Sequence, residues 1–594
     1  MATKTDIDQF FSTTVIGHPA GLFIIFFTEM WERFSYYGMR ALLVLFLTSA
    51  IMAEGWGWPR EQALALYGTY TSLVYLTPIL GGYIADKFMG YRNAVVVGAL
   101  IMTLGHASMA LDTHFTLYLG LLLLIVGNGF FKPNMTSIIS HMYASRPEKK
   151  DGAYTIFYMG VNAGAFLGIL LCGYVGEEIG WHYGFGLAGI FMFFGMLQFH
   201  LARKIFGSVG KKPVRATGTS AAPVDDATPQ EGEPATAEKK HRNPFTIVDL
   251  VLIIVSAVIG ITWVINDPVS KIGGVNLFGF QLAGMDGATF MILLAVLLFF
   301  VLLISRIARY VKITRDRMIA VAVFAFFTVF FWAAFEQAGG SMTIFAADYT
   351  DRTLSGTSAN VFRIVNTLIT LVPLGIITYV LVKLFQKTFK KYGLSNLFLG
   401  LSFTIIWAIV LYMLYRQFSQ DNPEVPASWF SILNSLFIIV FAPLFSRWWE
   451  SKFNPSAAVK FGLGLFLLGV GFLFLSLGAS GIPQGAETAA VSMMWLVFAY
   501  FFHTMGELCV SPVGLSYISK LVPGRMIAFM FGVWYVVNAI GNKLAGTTGG
   551  MIDKVTAAYS LSTFFLMFFI VPAIAGLLVI ILNPVMKKLM HGVR

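Results

Sequence analysis

The sequence predicts an all-α membrane protein with about sixteen spanning helices, and three features point that way. Of its 594 residues, 57% are hydrophobic and 12% charged, against roughly 25% charged in an ordinary soluble domain. Apolar runs of about 20 residues recur from end to end, the length that crosses roughly 30 Å of hydrocarbon. Basic residues also concentrate in alternate loops. One side carries Lys87, Arg92, Arg146, Lys149, Lys150, Arg306, Lys383, Lys387, Lys390, Lys391 and Lys520, while the other carries only Arg60, Lys271, Arg352, Arg363, Arg416 and Lys554. Such a bias places the basic loops in the cytoplasm and predicts an even number of spans with both termini inside. The net charge of +11 then reflects orientation in a lipid bilayer and implies no nucleic-acid partner.

Taken in order, the apolar runs predict six helices near 20–50, 62–86, 93–111, 115–141, 152–175 and 183–204. Two more follow near 245–266 and 288–310, and eight near 318–341, 360–384, 394–415, 429–447, 458–480, 490–519, 525–550 and 560–583. No cleavable signal is expected, because the first apolar run is itself a full span. Cys172 and Cys509 both fall in apolar segments, which argues against a disulfide framework or a thiolate metal site.

The first helix is the most informative element. Glu29, Glu32, Arg33 and Arg40 interrupt an otherwise apolar run from Leu22 to Leu47. A charge at bilayer depth costs at least about 2.5–3.5 kcal/mol on insertion scales, so the four must pair and face a polar cavity. Positions 29, 33, 36/37 and 40 share one helical face. A charged stripe on a spanning helix marks a transport pathway by default.

Residues 206–244 break the pattern, being rich in Pro, Ala, Thr and charge and almost free of aromatics. They read as a flexible cytoplasmic linker. A linker after six helices divides the chain into an N-terminal six-helix bundle (1–205), the linker (206–244), an inserted helix pair (245–312), the first helix of a C-terminal bundle (313–349), a second inserted pair (350–425) and the remainder of that bundle (426–594). Two six-helix halves are the parallel-repeat plan of the major facilitator fold. The loop GGYIADKFMGYR at 81–92 resembles that superfamily's signature through Gly82, Asp86, Lys87, Gly90 and Arg92. Its glycines allow a tight turn, and its charges are expected to latch helix ends.

Three further stretches narrow the resemblance. EMWERFSYYG at 29–38, GNGFFKPN at 127–134 and FYMGVNAG at 157–164 resemble the proton-dependent oligopeptide transporter (POT) family, whose first-helix hallmark is E-x-x-E-R-F-x-Y-Y-G. In the second half, FWAAFEQAGGS at 331–341, WFSILNSLFIIVFAP at 429–443, MGELCVSPVG at 505–514 and FMFGVWYVVNA at 529–539 resemble the family's helices 7, 8, 10 and 11. The resemblance implies a proton symporter that imports di- and tripeptides by alternating access across a bacterial inner membrane, with no cofactor beyond protons and no catalytic or metal site. Two departures stand out: Gly68 stands where animal members carry a helix-2 histidine, and 350–425 exceeds the usual bacterial helix plan.

A zwitterionic peptide presents a carboxylate, an ammonium and variable side chains. Beside the family motifs, Arg33, Arg40 and Lys132 are expected to meet the carboxylate, with Tyr36 and Tyr37 as hydroxyl donors. Glu507, Asn162 and Asn434 are expected to meet the ammonium. Tyr75, Tyr158, Trp332, Phe335 and Trp534 would wall the side-chain pockets, and Ser511 falls in the helix-10 motif. Asn366 offers an alternative to Asn434. Burial favours a neutral carboxylate and a neighbouring cation favours a charged one, so making and breaking ion pairs moves protons. The resemblance implies pairs between Arg40 and Glu336 and between Lys132 and Glu507, with Glu29 and Glu32 linking protonation to Arg33. Arginine stays charged throughout, leaving the glutamates as proton carriers.

Simpler readings exist for each residue. Glu29 and Glu32 could act as a structural lock on the arginines, and Lys132, before Pro133, could snorkel to an interface. The aromatics could serve packing, and the asparagines could be interhelical glue. Lys543, His106 and His503 read as structural. Rival functions are a facilitator for another anionic or zwitterionic solute (nitrate, an amino acid, a peptide-like drug), a receptor, or an intramembrane enzyme. The last two lack a soluble signalling domain and a nucleophile or metal motif, respectively.

Overall fold

Long helices form where the apolar runs lie, because a backbone in hydrocarbon must satisfy its own polar groups. In the computed structural model, residues 11–212, 243–282, 284–522 and 527–593 are described; most of the expected linker lies outside them. The first six long helices are α1 (Ala20–Thr48), α2 (Arg60–Ile84), α3 (Tyr91–Met109), α4 (His114–Met142), α5 (Lys150–Glu178) and α6 (Trp181–Ala202). Then come α7 (Ile247–Gly273), α8 (Gly287–Ala308), α9 (Lys312–Phe335), α10 (Gly356–Thr388) and α11 (Gly393–Ser419). The last five are α12 (Ile432–Glu450), α13 (Ala457–Gly478), α14 (Met494–Leu521), α15 (Ile527–Gly549) and α16 (Leu561–Ile581). Among the described residues, thirteen helical stretches are long and apolar enough to cross a membrane by length and composition. The charged α1 is not among them, yet its apolar residues from Leu22 to Leu47 are buried in protein.

Local signals set the helix boundaries. Thr113 and Thr246 open α4 and α7 with capping boxes, each meeting otherwise orphaned N–H groups. In the 81–92 loop, α2 winds into a wider turn at Ala85–Met89 and then breaks at Gly90, whose φ of 76° favours glycine. The expected latch is partly realised. The buried Arg92 guanidinium donates to the carbonyls of Arg203 (3.0 Å), Phe206 (2.8 Å) and Val209, tying the loop to the end of α6. Asp86 makes no ion pair among the described residues.

The architecture is the all-α, two-bundle arrangement of the major facilitator fold. In the first half α1 packs on α5 and α6, α3 on α4 and α6, and α2 on α4. In the second, α13 lies between α14 and α16, and α9 packs on α14, α15 and α16. The halves meet along two seams, α2 on α15 and α5 on α12. Two hairpins lie outside these bundles. One, α7–α8, attaches through α7 to α2. The other, α10–α11, attaches through α11 to α6, where Phe403 packs edge-on against Phe27 and Trp31 with 5.7 Å between ring centres. Asn366 sits inside this second hairpin and donates to Gln417 at 2.8 Å.

In lipid no hydrophobic force drives helices together, so close packing of small residues decides where they meet. The α2–α15 seam is an instance. A Cβ on Gly68 would lie 2.7 Å from Gly546 Cα, so the missing histidine is replaced by backbone contact between the halves. Gly68→Val is expected to lower the thermal midpoint of the detergent-solubilised protein, by about 1–3 kcal/mol of overpacking. Gly260→Ala in α7, where a Cβ meets nothing within 4 Å, should be neutral or stabilising by about 0.5–1 kcal/mol.

Candidate functional site

The charges of α1 point into the space between the halves and find partners at two levels. Arg33 Nε lies 2.9 Å from Glu29 Oε1 and 2.8 Å from Glu32 Oε2. The second oxygen of Glu32 accepts from Asn128 Nδ2 of α4 at 3.0 Å. Two turns further on, Arg40 Nε donates to the Tyr67 hydroxyl of α2 at 2.5 Å, and its guanidinium pairs with Glu336 at the end of α9. Glu336 is buried, so this pair is a desolvated bridge between the two halves. Between the levels, Tyr36 lies under the Arg33 guanidinium (5.9 Å to the ring centre) and packs edge-on against Tyr37 at 5.1 Å. The buried Tyr36 hydroxyl has no hydrogen-bond partner among the described residues.

Two further charged groups lack an opposite charge. Lys132 of α4 places its ammonium 4.5 Å from the centre of the Tyr75 ring, with no carboxylate within 4.0 Å among the described residues. Glu507 of α14 accepts from Asn434 Nδ2 of α12 at 2.9 Å, and the same amide donates to Thr504 at 3.1 Å. The implied Lys132–Glu507 pair is therefore not formed: a neutral amide holds Glu507, and an aromatic face holds Lys132. Asn434, not Asn366, lies beside the acid.

The aromatic candidates divide. Trp332 and Phe335 of α9 meet edge-to-face at 5.4 Å, and the buried Trp332 Nε1 has no hydrogen-bond partner among the described residues. Trp534 of α15 is buried against Gly514, where a Cβ would lie 2.4 Å from its ring, so the indole has a packing role. The Ser511 hydroxyl is buried without a partner among the described residues. Tyr158 is 54% exposed, and Asn162 Nδ2 folds back to the Tyr158 carbonyl at 3.0 Å rather than joining Glu507.

The two ends of the bundle differ in how the halves are tied together. At the end away from the termini, Arg60 of α2 reaches Asp348 (2.5 Å) and Asp553 (2.8 Å) in the other half. Glu177 of α5 accepts from the Ala427 and Ser428 amides (2.7 and 2.9 Å) ahead of α12, and Trp429 Nε1 donates to the Leu170 carbonyl at 3.1 Å. Toward the termini, Leu80 and Tyr83 on α2, Tyr158 and Met159 on α5, and Val440 and Leu444 on α12 are exposed.

Several contributing residues escaped sequence reading. Asn128 and Tyr67 bind the α1 charges; Asn128 stands in the GNGFFKPN stretch and carried a usable signal, whereas Tyr67 is one aromatic among many. Arg60, Asp348, Asp553 and Glu177 sit at helix ends, where charge is ordinary. Lys543 was visible as a charge within a span, but its partner Asp267 is 276 residues away.

Comparison with known proteins adds an independent result. The POT family's sequence model matches residues 92–221 and 408–565. A peptide transporter of Yersinia enterocolitica, YePEPT, is 30% identical over 586 residues, covering 98% of this chain and 96% of its own. A di-/tripeptide transporter of Lactococcus lactis subsp. cremoris is 29% identical over 588 residues, covering 98% of each chain. The crystal structure of a peptide transporter POT in complex with sulfate superposes with a TM-score of 0.68 at 27% identity, covering all of both chains. A mutant of a peptide transporter POT in complex with alafosfalin gives 0.69 at the same identity. With a full-length relative at this identity and the two-bundle fold in common, the chain belongs to the POT family.

Proposed function

We propose that this protein imports di- and tripeptides together with protons by alternating access across a bacterial cytoplasmic membrane, with both termini in the cytoplasm. The observation that carries this reading is the charge set around the cavity. Three cations, Arg33, Arg40 and Lys132, face four carboxylates, Glu29, Glu32, Glu336 and Glu507. One proton makes this set neutral, and a zwitterionic peptide leaves it so. The distribution suits such a ligand: a spare cation, Lys132, belongs to the first half and a spare acid, Glu507, to the second.

The peptide carboxylate would meet Lys132, with the Tyr36 and Tyr37 hydroxyls as further donors, and its ammonium would meet Glu507 and Asn434. Tyr75, Tyr158, Trp332 and Phe335 would accept varied side chains without demanding hydrogen bonds. Both ends of the ligand then draw the halves together. A carboxylate placed near Arg33 and Arg40 competes with Glu29, Glu32 and Glu336 for the guanidiniums. A glutamate displaced from its arginine in a low-dielectric site takes up a proton more readily. Protonation of Glu336 would free the Arg40 bridge and let the far side open. The basic bias of the loops supports placing the end that carries the termini in the cytoplasm. A purely anionic solute such as nitrate would leave Glu507 without a counter-charge, which disfavours the facilitator alternative.

In proteoliposomes, uptake of a labelled dipeptide is expected to need an inward proton gradient and to fall to the passive level when an ionophore collapses it; uptake indifferent to the ionophore would contradict coupling. Glu507→Gln should reduce uptake of peptides with a free amino terminus by roughly 10²-fold, the scale of losing a buried charged hydrogen bond worth about 1.5–3 kcal/mol. Wild-type uptake by that variant would misplace the ammonium. Lys132→Gln should weaken binding of free dipeptide more than that of its C-terminal amide, measured by competition.

A further inference from the structure

One buried charge cluster lies outside the peptide site. Lys543 of α15 is 1% exposed, and its ammonium donates to Asp267 of α7 at 2.5 Å and to Thr69 of α2 at 2.9 Å. The other oxygen of Asp267 lies 3.0 Å from Lys271, which lies 3.3 Å from Glu61 of α2. Glu61 in turn pairs at 3.0 Å with Lys554, in the short helix Ile552–Ala558 after α15. Charges of alternating sign thus run from the seam interior to the far surface. Each structural unit contributes: the first half gives Thr69 and Glu61, the second Lys543 and Lys554, and the inserted hairpin Asp267 and Lys271. The cluster lies beside the backbone contact of Gly68 with Gly546, one turn along α15 from Lys543.

We infer that the α7–α8 hairpin is a brace for the closed far side, and that Asp267 and Lys543 are positioning residues that set the balance between the two faces of the transporter. A lysine within a spanning helix needs an anion, and here neither bundle supplies it; the hairpin does. Asp267 ties the hairpin to the second half while Lys271 ties it to the first. Parting α2 from α15 must break the Lys543–Thr69 and Lys554–Glu61 contacts and leave the hairpin on one half only. The inference goes beyond the transport reading and does not depend on which solute the cavity carries.

The test uses the full-length protein in intact cells, with Cys172 and Cys509 replaced by alanine and a single reporter, Leu64→Cys, buried in the seam beside Gly340. A membrane-impermeant maleimide added outside should label the reporter slowly. Asp267→Asn and Lys543→Gln should each speed labelling by at least about tenfold, since removing one partner of a buried pair strands the other. The exchanged pair Asp267→Lys with Lys543→Asp should label more slowly than either single variant, although the new lysine lies against Lys271. Lys271→Ala, at the partly exposed rim, should also speed labelling, and serves if the buried variants fail to accumulate. Asp249→Asn, which cuts the contacts of α7 with Arg306 and Arg309 of the same hairpin at its other end, should leave the rate unchanged. Unchanged labelling in the Asp267, Lys543 and Lys271 variants would overturn the inference. So would equal acceleration by Asp249→Asn, which would make the effect one of general loosening. Peptide transport does not enter this readout, so its outcome is separate from that of the proposed function.

Discussion

A charge held in the membrane interior must have a partner, and α1 brings more charge than it can pair within itself. Glu29 and Glu32 are both used on Arg33, so Arg40 takes its carboxylate, Glu336, from the opposite half. That single borrowing joins two bundles that also meet along α2–α15 and α5–α12. Breaking a buried pair by removing one partner costs about 3–5 kcal/mol. Under the proposed mechanism, the joined arrangement persists until a proton on Glu336 or a substrate carboxylate beside Arg40 offers a replacement.

The two ends of the bundle differ in what they ask of the chain. Closure at the far end uses geometry that tolerates no bulk, the Gly68–Gly546 contact, reinforced by Arg60, Glu177 and the Lys543 cluster. At the other end apolar and aromatic side chains of α2, α5 and α12 are exposed. In the cavity between, Lys132 rests on a ring and Glu507 on an amide. Neither has an opposite charge within 4.0 Å among the described residues, and the proposed function assigns each to one end of a zwitterion.

Much of this was legible in the residues. Helix number and placement followed from apolar runs, since hydrocarbon thickness fixes their length. The Arg40–Glu336 bridge and the Asn434–Glu507 contact lay within motifs whose residues had already been singled out. What could not be read was which of several possible partners each charge takes in one state of a moving protein. Lys132 and Glu507 were expected to pair, yet each has a different neighbour here, because pairing across the cavity depends on how far the halves have swung. The Asp267–Lys543 pair was illegible for another reason: it joins an inserted hairpin to a bundle helix across a long sequence separation, and no local spacing encodes that. Trp534, a motif aromatic expected to wall the site, is buried against Gly514, a neighbour that the sequence does not reveal.

The central claim is that the Arg40–Glu336 bond is the element through which a proton moves the two halves. It is tested most directly by the steady-state ratio of internal to external dipeptide in proteoliposomes of Glu336→Gln under an imposed inward proton gradient, alongside exchange of labelled for unlabelled dipeptide without one. The account predicts that accumulation collapses to a ratio near one while exchange continues. Accumulation at the parent level would show that the proton acts elsewhere and would contradict it.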